Sequence, residues 1–192
     1  MESLDTLKLM HALHQCERTA AHNRQNGRSK IYAFLDFDGV INVFYPPGSP
    51  QYEHLVQLSK QNVPFQFSDE DCLKRLSSLC LDYDINLIIS SSWRYSGLAY
   101  CQDYLVKGGL DKNVKVTGMT SDVIGKTREE LILQYLQEHP DYSGFLILDD
   151  MSMPHLYKYL VHCDSMHGYD EKQNEKARQI LQDQRLFPIT QK

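Results

Sequence analysis

A chain of 192 residues with 42% hydrophobic and 23% charged side chains can bury one substantial core and is short for two. Its net charge of -5 excludes the broad basic footprint of a nonspecific nucleic-acid binder, and no apolar run reaches the roughly 18 residues of a membrane span. Five scattered cysteines without a CxxC pair, and eight histidines without an HExxH, argue against a disulfide framework and against the common zinc signatures.

In chain order, "MESLDTLKLMHALHQCERTA" carries acids early and lacks the apolar core of a signal peptide, so a cytoplasmic protein is expected. Leu4, Leu7, Met10 and Leu13 predict an amphipathic helix within residues 3–22. Polar residues and Gly27 end it, and "IYAFLDF" reads as a buried strand. "YPPGSPQ" marks a loop, and residues 43–68 show no strong period beyond short local elements. The next helix, "SDEDCLKRLSSLCLDYD", has Ser68 as its expected N-cap and Leu73, Leu76, Leu79 and Cys80 on its apolar face.

The alternation then becomes regular. "INLIIS" and "VKVTGM" read as strands, with the helix "SGLAYCQDYLVKGG" between them. "TREELILQYLQEHP" is a helix stopped by Pro140, and "GFLILDD" is a strand closed by acids. "MPHLYKYL" suggests a helix with Pro154 in its first turn, followed by the short strand "LVHCD" and a last helix, "EKQNEKARQILQDQ". Strand–helix alternation of this kind predicts an α/β domain whose parallel sheet is covered on both faces.

Ligands in such sheets sit beyond the carboxyl ends of the strands. Three strands end there in polar residues: Asp36 and Asp38, then Ser90, Ser91 and Ser92, then Asp149 and Asp150. Side chains two apart on a strand point the same way, so Asp36 and Asp38 are expected on one side, with Phe37 in the core. Four carboxylates converging on one pocket repel each other unless a cation relieves them. An all-oxygen donor set suits a hard ion, with Mg²⁺ the usual choice at phosphate sites. "SSS" offers hydroxyls to phosphate oxygens, and "GKTREE" offers Lys126 and Arg128 at a helix start, where an anion can be held.

The order DxDGV, a strand ending in Ser, a Lys or Arg, and a strand ending in DD resembles the haloacid dehalogenase (HAD) superfamily. More narrowly, "LDFDGVIN", "IISSSWR", "TREELILQYL", "FLILDD" and "LVHCDSMHGYDEKQNEKARQIL" resemble the small HAD domain of Swiss-army-knife RNA repair proteins, over residues 31–182. The resemblance implies a Rossmann-like three-layer α/β/α fold with a mostly parallel sheet and only a minimal cap. It implies a Mg²⁺-dependent phosphatase in which Asp36 is the nucleophile and Asp38 the general acid and base. Mg²⁺ would be held by the Asp36 carboxylate, the Asp38 carbonyl and an acid of the DD pair, Asp150 being favoured with Asp149 beside it. Ser90 would contact the transferring phosphoryl group, or Ser91 if the strand runs one residue further. Lys126 fits the superfamily's spacing for the cationic role, and Arg128 fits the narrower "R..E" pattern. Arg94 would pair with a site acid or reach a substrate phosphate.

The expected division is a helical extension over 1–30, the phosphatase domain over 31–186 with 43–68 as a small insertion, and a tail over 187–192. An insertion of that length can edge the site but hardly roof it. Bulky substrates are then admitted, and the resemblance points to phosphorylated RNA ends, with Arg94, Lys107 or Lys112 as phosphate partners. The alternatives are a phosphatase of nucleotides or other small molecules, a phosphoprotein phosphatase, and a catalytically silent phosphate-binding module. Intact Asp36 and Asp38 count against the last.

Overall fold

Three short runs rich in Ile, Leu and Phe, β1 (Ile31–Leu35), β2 (Ile85–Ile89) and β4 (Gly144–Asp149), are buried at every residue and form the middle of one sheet. β3 (Lys115–Met119), whose residues alternate in exposure, and the short β5 (Leu160–His162) close its edges. The strand order is β3-β2-β1-β4-β5, and every pairing is parallel. The computed structural model describes residues 4–60 and 67–189, so what was expected of 1–3, 61–66 (Pro64 included) and 190–192 lies outside the described residues.

Strand alternation sends successive residues to opposite faces. Ile31, Ala33 and Leu35 pack on α3 (Glu70–Tyr83), α4 (Leu98–Gly108) and α6 (Glu171–Asp183). Tyr32 and Phe34 pack on α5 (Arg128–Glu138) and α1 (Leu4–Gln25). The result is the three-layer α/β/α arrangement expected. α1 belongs to one of its layers: Leu13, Cys16 and Ala20 are buried there. The Asn23 amide donates to the carbonyls of Pro140 and Tyr142 at 2.8 and 2.6 Å. Among the described residues, no helix is long and apolar enough to cross a membrane.

Two local expectations change, and two elements are added. Asp69, not Ser68, caps α3, its carboxylate accepting from the Cys72 N–H at 2.8 Å; Ser68 instead bridges to Asn42. Residues 154–159 form turns rather than a helix, because the Glu129 carboxylate accepts from the His155 and Leu156 N–H groups and the chain must enter β5 at once. "SWRYS" forms a 3₁₀ turn over Ser92–Ser96 ahead of α4. Finally, the insertion contains α2 (Pro50–Lys60).

The carboxyl ends of the central strands are level. Leu35 pairs with both Ile89 and Leu148. The ladder runs one residue further through Asp36 N–H to the Leu148 carbonyl and Ser90 N–H to the Leu35 carbonyl, each 2.9 Å. The strand order reverses between β1 and β4, which places Asp36 and Asp149 beside the topological switch point.

Candidate active site

At the switch point Asp36, Asp149 and Asp150 each present a carboxylate oxygen, and the three oxygens lie within 4.8 Å of one another. Asp149 is fully buried and Asp36 nearly so, at 0% and 5% exposure. The Asp36 Oδ1 accepts from the Phe37 N–H at 2.8 Å, and the Asp149 Oδ1 accepts from the Met151 N–H at the same distance. Their other oxygens share one partner: Arg128 Nη1 lies 2.5 Å from Asp36 Oδ2 and 2.6 Å from Asp149 Oδ2.

Burial pushes the Asp149 carboxyl up to about 6 against the pull of Arg128, and burial with the neighbouring Asp36 charge raises that of Asp150. Burial works against the Arg128 charge, but Asp36 and Asp149 outweigh it and hold the guanidinium above its usual range. With all groups ionised, three carboxylates and one guanidinium leave a net charge of two negatives. That charge and an all-oxygen donor set fit a hard divalent cation. Gly39 has φ +75°, and a Cβ there would lie 2.3 Å from Asp150 Oδ2. The glycine after DFD therefore permits both the turn and the approach of the DD pair.

Asp38 is held apart from this cluster. The chain leaves the ladder after Asp36 and turns, with the N–H groups of Val40, Ile41 and Asn42 all donating to the Phe37 carbonyl. Strand alternation therefore stops before residue 38, and three carboxylates converge rather than four. The Asp38 Oδ1 accepts from the Asn42 amide at 2.8 Å, and its Oδ2 accepts from the Trp93 indole N–H at 2.9 Å. Asn42 accepts in turn from the Tyr104 hydroxyl at 2.7 Å. Trp93 packs on Tyr104 and Phe37, with ring centroids 4.6 and 5.6 Å away. The sequence by itself favours packing over binding for Trp93, the single tryptophan, and gives Asn42 no role. "DGVIN" and "SSSWR" carry both residues, but nothing local ties them to Asp38.

The two serines separate. Ser90 Oγ is the buried side-chain polar atom that lacks a hydrogen-bond partner among the described residues. Such an atom in a native fold calls for an explanation, and a ligand oxygen supplies one. Ser91 Oγ accepts from the Trp93 N–H at 3.3 Å and caps the 3₁₀ turn.

The cations separate too. Lys126 is exposed and donates to Gln134 at 2.6 Å, away from the carboxylates. Thr127 is the N-cap of α5 and forms a capping box with Glu130, so Arg128 opens the helix at the site while Lys126 precedes the cap. The T-x-x-E spacing is the sequence signal that distinguishes them. Arg94 neither pairs with a site acid nor is open to a substrate phosphate. Its guanidinium donates to the carbonyls of Ser90, Ser91 and Ser121 at 3.1, 2.8 and 3.1 Å, clamping the loop that carries the serines. Lys107 pairs with Asp103 at 2.6 Å and borders a hollow that touches none of the clustered aspartates, and Lys112 is exposed on the loop before β3.

Comparison with known proteins returns no match among curated proteins and none among solved structures. Residues 32–174, from the first strand to the opening turn of α6, match the family model described as the HAD domain in Swiss Army Knife RNA repair proteins, and the chain belongs to that family, with α1 lying ahead of the matched span.

Proposed function

We propose that this chain is a Mg²⁺-dependent phosphomonoesterase that works through an aspartyl-phosphate on Asp36 and acts on the phosphorylated ends of RNA. One observation carries the reading: three carboxylates gather at the switch point, on the same sheet edge as the unpaired Ser90 hydroxyl. Family membership supports hydrolase chemistry, since HAD domains are generally phosphatases, and the family's description supports an RNA substrate.

Asp36, Asp149 and Asp150 would hold the metal. Bound there, Mg²⁺ would offset the charge of the phosphoryl oxygens as an anion approaches a carboxylate. A carboxylate oxygen of Asp36 attacks phosphorus, and the bond from phosphorus to the leaving oxygen breaks. Asp38 delivers a proton to that oxygen, then removes one from the water that attacks the aspartyl-phosphate, releasing phosphate and restoring Asp36. The Ser90 hydroxyl donates to a phosphoryl oxygen, and Arg128 adds positive charge where negative charge accumulates. The Trp93 and Asn42 hydrogen bonds hold the Asp38 carboxylate in place for both transfers.

Phosphate release with Mg²⁺ tests the reading across 3′- and 5′-phosphorylated oligoribonucleotides, mononucleotides, sugar phosphates and phosphopeptides. An oligoribonucleotide is expected to show the highest kcat/KM, with activity lost in chelator and in Asp36→Asn. A preference for phosphopeptides would make it a phosphoprotein phosphatase. A preference for free nucleotides or sugar phosphates would replace RNA with small molecules. Phosphate binding without release would make it a silent module.

A further inference from the structure

We propose that an aromatic-lined pocket beside Asp38 is the leaving-group subsite, and that it takes a neutral planar ring, the nucleobase of the phosphorylated nucleoside. Its orientation rests on the phosphatase reading, in which Asp38 passes a proton to the leaving oxygen. Whatever carries that oxygen must extend to the Asp38 side of the site. There the structure has a cavity of about 530 Å³ lined by Asp38 and Trp93 together with Phe44, Tyr45, Tyr52 and Phe67 from the 43–68 insertion. The insertion was expected only to edge the site. Instead it walls a pocket of the size that holds small organic ligands.

The lining describes the occupant. Among the described residues Asp38 is its one carboxylic acid and no Lys or Arg lines it, so nothing there offsets a second phosphate. The ligand portion is therefore uncharged. Aromatic walls favour a flat ring, and every nucleobase has a face to stack. A tyrosyl ring bears its leaving oxygen directly and is small against this volume, whereas a nucleoside sets its base one sugar further out. The walls are also braced. The Tyr45 hydroxyl donates to Asp69 at 2.8 Å, and the Phe67 N–H donates to the Tyr104 hydroxyl at 3.1 Å, tying the insertion to α3 and α4. Phe44 is 55% exposed and Phe67 45%, apolar surface that a bound base would cover.

Trp93 is the chain's single tryptophan and lines this pocket, so its fluorescence reports occupancy without turnover. Adenosine and uridine are expected to change that fluorescence saturably, and ribose to leave it unchanged. With Mg²⁺, nucleoside monophosphates should exceed ribose 5-phosphate in kcat/KM by about ten- to a hundredfold, the range one base–aromatic stack contributes. Phe44→Ala should weaken adenosine binding and narrow that ratio, each by about tenfold. A saturable Trp93 signal without phosphate release from any compound would sustain the pocket and overturn the phosphatase reading. Turnover with a silent Trp93 and no preference for a base would overturn the pocket. So would a Phe44→Ala variant with an unaltered ratio, or O-phosphotyrosine turned over faster than every nucleoside monophosphate.

Discussion

Asp36 and Asp38 are two residues apart and chemically identical, yet they occupy opposite kinds of environment. Asp36 lies among charges: Arg128 touches it, and Asp149 and Asp150 stand within ion-binding distance. Asp38 lies among neutral groups, one oxygen on an amide and the other on an indole, with aromatic rings behind them. A charged surrounding, completed by a cation, fits the nucleophile role proposed for Asp36. A neutral surrounding that holds the side chain by two hydrogen bonds fits the proton-transfer role proposed for Asp38. The two environments differ because the backbone turns between the two residues.

The largest expected effect breaks the comparison at its centre. Asp36→Asn removes the attacking carboxylate and should lower phosphate release by at least about a thousandfold on every substrate. Asp38→Asn should be equally damaging with an alkyl phosphate but should retain first-step reactivity with an activated aryl phosphate, whose leaving group needs little protonation. Burst kinetics on the two substrate types check this; equal losses would erase the distinction between the two aspartates.

Next in size are the serines. Ser90→Ala should lower kcat by roughly a hundredfold, as loss of a transition-state donor does. It should leave the melting temperature unchanged or slightly raised, because the hydroxyl it removes is buried and unpaired. Ser91→Ala should do the reverse, costing about 1 kcal/mol of stability through the lost cap and little activity. Thermal melts beside steady-state rates separate the pair.

Trp93→Phe probes the neutral half alone. It keeps a ring against Phe37 and Tyr104 but deletes the donor to Asp38. A rate about tenfold lower on unactivated substrates is expected, in line with the loss of one hydrogen bond to a charged group, and a smaller change on an aryl phosphate.

The smallest effect is read without substrate. Mg²⁺ at a hundred times its dissociation constant should stabilise the fold by about 2.7 kcal/mol, which is several degrees in Tm for a chain of this length. Asp150→Ala should abolish that shift and Trp93→Phe should preserve it. A shift lost equally in both would mean that the charged and neutral halves act as one unit.

The sequence by itself determined what depends on near neighbours. Apolar runs bounded by polar ends set β1, β2 and β4, and helical spacing with Pro140 set α5, so the order of elements and the layered parallel sheet were legible. That order alone brings Asp36, Ser90, Asp149 and Asp150 to one edge, because parallel strands end together. Only the tertiary structure decided the rest. Asp38 finds Trp93 fifty-five residues away, and Asn42 finds Tyr104 sixty-two away. Arg128 rather than Lys126 reaches the carboxylates because the α5 cap falls between them and the helix docks beside β4. Residues 43–68 have little periodicity, and the insertion is held by contacts distant in sequence, Tyr45 to Asp69 at the start of α3 and the Phe67 N–H to Tyr104 within α4. Such partners are chosen by geometry across the fold, which no local pattern of residues encodes.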